Sequence, residues 1–305
     1  MGFLLVEGFS LMSYASAVEP LRAANVLSGK PLYQWFNIAA GASTASSGLP
    51  VPADFAIGER TEFDTVFVCA AGNPTTFRHR PTLSWLRQLA RNGTRVGGIS
   101  GGPFILARAG LLDGYRATIH WEHVPAFAEA FPDLQLTRAL FEIDRDRLTC
   151  GGGVAALDMM HALIAGDHGP ALANSVSDWF LQTEIRGSAG LQRLSPSNRY
   201  GTADARVLAA LERMEASIDQ PASRGELAAA SAISIRQLER LFSAELGTTI
   251  ASYYQRLRLE RARVLLRQSA LPIVEIAVMT GFISASHFSR LYRSRFGIAP
   301  RHERH

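Results

Sequence analysis

The sequence predicts two domains of different class. A three-layer α/β sandwich around a parallel sheet comes first, followed by an all-α domain with two helix-turn-helix motifs. Three observations predict it. Short apolar β-like runs alternate with helical stretches as far as Thr183. The charge divides unevenly along the chain. The last third repeats itself at an offset of about 50 residues. At 305 residues the chain has room for two domains of about 150 residues each.

The elements of the first domain follow in order. Strands are expected at Phe3–Val6, Trp35–Ala39, Thr65–Cys69, Arg95–Ile99, Ala117–Ile119 and Leu148–Cys150. Helices are expected at Met12–Leu27, Thr82–Asn92, Pro103–Ala109, Val124–Phe131, Val154–Ala165 and Ala171–Thr183. Strands separated by helices are joined by crossovers, which makes the sheet parallel and covers both its faces. Ligands of such sheets sit beyond the carboxyl ends of the strands. Four of these ends carry small or reactive residues: Cys69-Ala70-Ala71-Gly72, Ile99-Ser100-Gly101-Gly102, His120-Trp121-Glu122 and Cys150-Gly151-Gly152-Gly153. They are expected to converge on one face.

Composition narrows the class. With 47% hydrophobic and 19% charged residues the chain is globular, not disordered. No run approaches about 20 apolar residues, so no membrane span is expected. The apolar start Phe3–Val6 lacks a basic region before it, which argues against a signal peptide. Two cysteines, Cys69 and Cys150, make neither a disulfide framework nor a zinc cluster and suit a reducing cytoplasm. Asp158 and His161 are three apart on a helix, a spacing that is usually structural, so neither metal nor cofactor is assigned.

Residues 1–200 hold 16 basic and 17 acidic side chains, and residues 201–305 hold 15 and 10, so the excess of positive charge sits in the last third. Of the 31 basic residues 30 are Arg. Arginine suits bidentate pairing to carboxylate, phosphate or guanine, although a GC-rich genome biases codons the same way. The asymmetry suggests a neutral module joined to one that binds a polyanion. Between them, residues 187–204 (GSAGLQRLSPSNRYGTAD) lose periodicity and read as a linker. The expected boundaries are therefore 1–186, 187–204 and 205–305.

The repeat organises the second domain. Leu227-Ala228 matches Ile276-Ala277 at offset 49. Leu238, Arg240, Leu241, Phe242, Leu246 and Gly247 match Phe288, Arg290, Leu291, Tyr292, Phe296 and Gly297 at offset 50. The one-residue slip falls near Ile233 and Phe282-Ile283. Each copy is a short helix, a turn and a second helix closed by glycine. In the second helix of copy one the apolar residues form one stripe, leaving Arg236, Gln237, Glu239 and Arg240 outside. In copy two the outside set is Ser286, His287, Ser289, Arg290 and Arg293. Such side chains read base edges: Arg for guanine, Gln for adenine, Glu for cytosine. Ile250–Gln268 reads as one connecting helix of about 27 Å. That is near the roughly 34 Å between successive major-groove faces on one side of a duplex. The competing reading is a plain bundle with a solvated arginine face, and two such helices in register weigh against it.

These residues carry a resemblance. Residues 205–300 resemble the AraC-type DNA-binding domain, most closely from Gly281-Phe282-Ile283-Ser284 through Arg293, Phe296-Gly297 and Pro300. The resemblance implies seven helices, two of them entering adjacent major-groove segments of a double-stranded operator. One departure follows Pro300, where Arg301-His302-Glu303-Arg304-His305 replaces the aromatic-plus-basic ending usual in the family.

In the first domain, Gly98-Ile99-Ser100-Gly101-Gly102 fits G-x-S-x-G between a strand and a helix, the setting of a nucleophile elbow. This keeps open a hydrolase or amidase using Ser100, with His120, His123, His161 or His168 as base. A second resemblance points elsewhere. Val96–Glu122 is similar to the PfpI-like branch of the class I glutamine-amidotransferase-like superfamily. Catalytic members carry Cys then His where this chain has Ser100 and Gly101, which implies a degenerate elbow and no catalytic residue. Ser13 stands where hydratase-like members place an Asp, and Glu19 resembles the acid on their first helix. The two domains in this order resemble GlxA-type transcriptional regulators, and Gly8–Gly29 resembles their arginine, glycine betaine or carnitine subgroup. The resemblance implies a flavodoxin-like first domain and a homodimer. It also implies a small-molecule effector, an activator role and RNA polymerase as a further partner. Candidate ligand-binding residues are Glu19, Gly72, Ser100, Gly101, Gly102, His120, Trp121, Glu122 and Cys150. Glu19 and Glu122 would pair a cation, Trp121 would offer a π-face, and the amides after Ser100 and Cys150 would hold a carboxylate. The competing reading makes Trp121 and His120 structural, Glu122 surface and both cysteines core packing.

Overall fold

The computed structural model describes residues 1–268 and 271–303. It divides into two units, Met1–Gln192 and the chain from Arg193 onward. The first unit runs β1 (Gly2–Leu5), α1 (Leu11–Ser28), β2 (Phe36–Ala39), β3 (Ser43–Thr44), β4 (Pro50–Val51), β5 (Phe55–Ala56), β6 (Thr65–Ala70), α2 (Arg80–Arg91), β7 (Arg95–Ser100), α3 (Gly102–Arg108), β8 (Arg116–Ala117), α4 (Val124–Ala130), β9 (Gln135–Leu136), β10 (Phe141–Asp144), β11 (Arg147–Cys150), α5 (Ala155–His168) and α6 (Pro170–Trp179).

Seven strands form the main sheet in the order β10-β11-β7-β6-β1-β2-β5. Every neighbouring pair is parallel except β10 with β11. This is the flavodoxin-like three-layer class expected. β1 shows how the sequence builds it. Side chains alternate across a strand, so Phe3 and Leu5 join the core with α1, α5 and α6, while Leu4 joins the core with α2, α3 and α4. β6, apolar at nearly every position, is buried along its whole length, as a central parallel strand must be.

One expected strand is corrected. Ala117–Ile119 does not extend the main sheet. Arg116–Ala117 pairs with β9 in a separate two-stranded ribbon, and the Thr118 amide donates to Thr149 Oγ1 instead of a ladder carbonyl. The edge place is taken by β10, an alternating Phe-Glu-Ile-Asp run at which no strand was expected. The expected linker also has structure on both sides. Ser188 O accepts from Leu140 N and Gln192 is anchored in the first unit, while Pro196–Tyr200 is helical in the second.

The second unit runs α7 (Pro196–Tyr200), α8 (Ala205–Ala216), α9 (Arg224–Ala230), α10 (Ile235–Leu246), α11 (Ile250–Gln268), α12 (Ile273–Met279) and α13 (Ala285–Phe296), with no strand among the described residues. It has two cores. Leu227, Leu238 and Phe242 pack with α8 and with Ile250, Tyr253 and Tyr254 from the first half of α11. Ile276, Phe282, Phe288 and Tyr292 pack with Leu259, Ala262, Leu265 and Leu266 from its second half. One continuous helix therefore belongs to both halves. Gly247 and Gly297, both left-handed, close α10 and α13.

Candidate functional site

Two regions concentrate unusual chemistry. The first is the paired surface of α10 and α13. The apolar stripes turn inward, with Leu238, Phe242, Phe288 and Tyr292 fully buried. Arg236, Gln237, Glu239, Arg240, Ser286, His287, Arg290 and Arg293 are consequently exposed, and Ser289 is partly so. Not all of them are equally available. Gln237 Oε1 accepts from the Ser234 amide at 3.1 Å, closing a capping box, and Glu239 pairs with Arg224 at 3.0 Å. No hydrogen bond or ion pair joins Arg236, Arg240, Arg290 or Arg293 to another side chain among the described residues.

The connecting-helix arginines behave differently from a solvated face. Arg258 donates to Thr280 O at 2.7 Å and Gly281 O at 2.6 Å, and its guanidinium lies 4.1 Å from the Phe282 ring centre. Arg263 and Arg267 both donate to Glu303 Oε1, while Glu303 Oε2 accepts from Tyr292 at 2.8 Å. Burial alone would raise the Glu303 carboxyl, but Arg263, Tyr292 and Arg267 together hold it below its usual value. This carboxylate fastens the last described residues where the family's aromatic ending was missing. Arg304 and His305 lie outside the described residues.

The second region is the carboxyl edge of the sheet. Ser100 ends β7 in the left-handed region (φ 60°), where a β-carbon is strained. Gly98 permits the elbow, because a β-carbon there would lie 2.5 Å from the Pro103 nitrogen. Gly152 brings a remote turn against it. A β-carbon on Gly152 would lie 2.6 Å from Ser100 Cβ and 2.8 Å from Ser13 Oγ. The elbow, the first turn of α1 and the β11 end thus meet at one point. His120 is tied in by its backbone, its amide donating to Ser100 O at 3.2 Å. Burial pushes the His120 imidazole below its ordinary value, favouring the neutral ring that accepts from the Glu122 amide. Trp121 is 40% exposed, with its ring 5.4 Å from that of His120, and Glu122 is partly buried. Gly72 is exposed in a left-handed turn.

Several candidate ligand groups are spent internally. Gly101 N donates to Ala70 O at 2.8 Å, Gly151 N to Leu140 O at 2.9 Å and Gly153 N to Ser13 Oγ at 2.7 Å. The amides expected to cradle a carboxylate at Gly101 and after Cys150 therefore already have partners. Cys150 is fully buried and burial pushes its thiol up to about 12, so it packs the core instead of facing a ligand. Cys69 is buried likewise. Glu19 pairs with Arg22 on the outer side of α1. Gly102 sits against the Val68 backbone. Ser100 Oγ has no hydrogen bond to an imidazole or carboxylate among the described residues. Asp158 is structural: it accepts from Arg186 and Gln182, and His161 meets Ser177.

Sequence reasoning missed Gln192. Its Oε1 accepts from Trp121 N at 2.8 Å, and its Nε2 reaches Thr118 Oγ1, Ile119 O and Ala139 O. A lone glutamine in a Gly/Ser-rich stretch carries no periodic signal. Only the crowding of Gly151 against it marks the site.

Comparison with known proteins gives the family. The DJ-1/PfpI family model matches residues 3–164 and a helix-turn-helix domain model matches residues 227–305. The HTH-type transcriptional regulator GlxA of Rhizobium meliloti is 49% identical over 98% of this chain and 94% of its own. CdhR of Pseudomonas aeruginosa, also an HTH-type transcriptional regulator, is 44% identical over 99% and 90%. The solved structure of an AraC family transcriptional regulator from Pseudomonas putida is 29% identical, covering 59% of this chain and 97% of that one with a TM-score of 0.53. A ThiJ/PfpI family protein from Pseudomonas syringae, 22% identical, shares the fold with a TM-score of 0.53 over 76% and 88%. Among the described residues no helix is long and apolar enough to cross a membrane. The chain belongs to the DJ-1/PfpI family, in the group of HTH-type transcriptional regulators that join this domain to an AraC-type helix-turn-helix domain.

Proposed function

We propose that the chain is a sequence-specific activator of transcription. In this reading its α/β unit is a non-catalytic receptor for a small zwitterion, an amino acid or a quaternary amine. Two paired helix-turn-helix copies on one continuous helix carry the reading. Each buries its stripe in its own core and leaves arginines at matching positions, Arg240 and Arg290, in water. The α/β units pair two chains into a homodimer, the commonest closed assembly, and RNA polymerase is the further partner. The effector acts only if it binds two states of the protein with different affinity. Trp121 and Glu122 offer a π-face and a carboxylate to its cation.

Two measurements test this. Arg240→Ala and Arg290→Ala should each weaken operator binding by about 1–3 kcal/mol and relax preference at different base pairs. Footprints identical to the parent's would remove both helices as readers. In a thermal-shift panel of amino acids and quaternary amines, one at 100 times its dissociation constant should add about 2.7 kcal/mol. A hydrolase or amidase reading has one observation in its favour, the left-handed Ser100 elbow. Against it stands a hydroxyl without a bonded base, weak at its free pKa. Turnover of an ester or amide that Ser100→Ala abolishes would reinstate it.

A further inference from the structure

Ile283 is fully exposed, at 104% of its reference area, and it occupies the one place where the two copies differ in length. The turn residues Ala232 and Gly281 both take positive φ and lie 49 apart, whereas the N-caps Ser234 and Ser284 lie 50 apart. Ile233 corresponds to Phe282, which is buried, so the inserted residue is Ile283. Copy one carries its own exposed apolar residue after the cap, Ile235, at 43%. Single exposed apolar residues are ordinary, but the setting of this one is not. It immediately precedes the N-cap of α13, at the end of a recognition helix that meets base edges. The turn beneath it is held from two sides. Arg258 bonds the carbonyls of Thr280 and Gly281 and lies over Phe282. Gly281 fits so closely against Pro221 and Ile218 O that a β-carbon has no room. The side chain is therefore presented in a fixed place without contributing to a core.

On the major-groove edge of DNA the thymine C5-methyl is the one bulky apolar group, projecting where cytosine carries only a hydrogen, beside hydrogen-bond donors and acceptors. We infer that Ile283 is a specificity-determining residue that reads a thymine methyl in the half-site entered by α13. This rests on the reading of α13 as a groove-entering helix.

The test uses the full-length protein and a duplex selected by it from a randomised pool. Thymines are replaced one at a time by deoxyuridine, which removes only the methyl. The parent should lose about fourfold in affinity at one position of the α13 half-site, the worth of one buried methyl-sized group. Ile283→Ala should lose a similar factor and become indifferent to deoxyuridine there, while Ile283→Val keeps most of the effect. Unchanged melting temperatures exclude misfolding. If every thymine tolerates deoxyuridine, or if the two losses simply multiply, Ile283 reads no methyl. A variant that binds like the parent but no longer activates transcription with purified polymerase would assign the residue to a protein contact and overturn the inference. Failure to select any duplex would instead strike the DNA-binding reading itself.

Discussion

The two helix-turn-helix copies share a skeleton and differ in how it is fastened. Copy one is tied by helix caps and by a neutral hydroxyl from α11. Both its helices open with capping boxes, Ser223 with Glu226 and Ser234 with Gln237. The Tyr254 hydroxyl bridges Ser217 and the Ala222 amide. Copy two has no side-chain cap on α12 and a single one, Ser284, on α13. It is tied by charge to α11 instead, through Arg258 at the turn and through Arg263 and Arg267 at Glu303. The apolar stripe specifies where the helices lie, and the polar fastening is free to diverge. Arginines that a charge count assigns to a duplex are, in copy two, partly structural.

The largest effects should come from the cores. Phe242→Ala and Phe288→Ala each empty a fully buried ring site and should cost about 3–5 kcal/mol. The rings belong to separate cores, so the double variant should cost the sum of the two within about 0.5 kcal/mol. Urea titration of the four proteins measures this. A coupling clearly larger would break the comparison and make α11 a conduit between halves.

Next come the two fasteners. Glu303→Ala strands two guanidinium groups. Because Arg263 and Arg267 are 36% and 52% exposed they regain water, so the cost should be about 2 kcal/mol, below the 3–5 of a sealed pair. Tyr254→Phe deletes the α11 hydroxyl that fastens copy one and should cost about 1–2 kcal/mol. Acid separates the two. The folded protein holds Glu303 below its ordinary 4.5, so its contribution is complete above that pH and is lost as pH falls through the lower native value. The stability gap between parent and Glu303→Gln should be widest near neutrality and close below about pH 4.5. A gap that stays constant with pH would mean that the carboxylate's charge is irrelevant to the lock.

What could be read from the sequence follows the same division. The second helix of each copy was legible because an apolar stripe and a closing glycine coincide twice, 50 residues apart. The central strands were legible because a strand buried on both faces is apolar at nearly every position, as in Thr65–Ala70. β10 was missed because its hairpin turns through Arg145, left-handed at φ 56° without the glycine or asparagine that announces such a turn. The elbow was legible as G-x-S-x-G. The meeting of the β11 end with it was legible too, because strand ends of a parallel sheet converge. The contacts of Ser13 with Gly153 and of Gln192 with Trp121 were not, because they arise only in the folded topology. Nor does sequence reveal which amides are already bonded, and that decides whether Gly101 and Gly153 have anything to offer a ligand.

The smallest expected effect sharpens the comparison most finely. Ser234 and Ser284 cap the equivalent helices, and each loss to alanine should cost about 1 kcal/mol. The caps are not equivalent in consequence. Ser234 is half of a reciprocal pair in which Gln237 Oε1 accepts from both the Ser234 amide and its hydroxyl. Removing the hydroxyl therefore loosens a glutamine that is also a proposed base reader. Ser284 Oγ accepts from the His287 amide at 3.4 Å and holds none of the proposed reader side chains. Ser234→Ala should thus change preference among operator variants as well as stability, while Ser284→Ala should lower stability alone. Binding to a set of single-base operator variants, measured beside thermal melts, distinguishes the two. Equal shifts in preference from both substitutions would show that the capping box does nothing to aim Gln237.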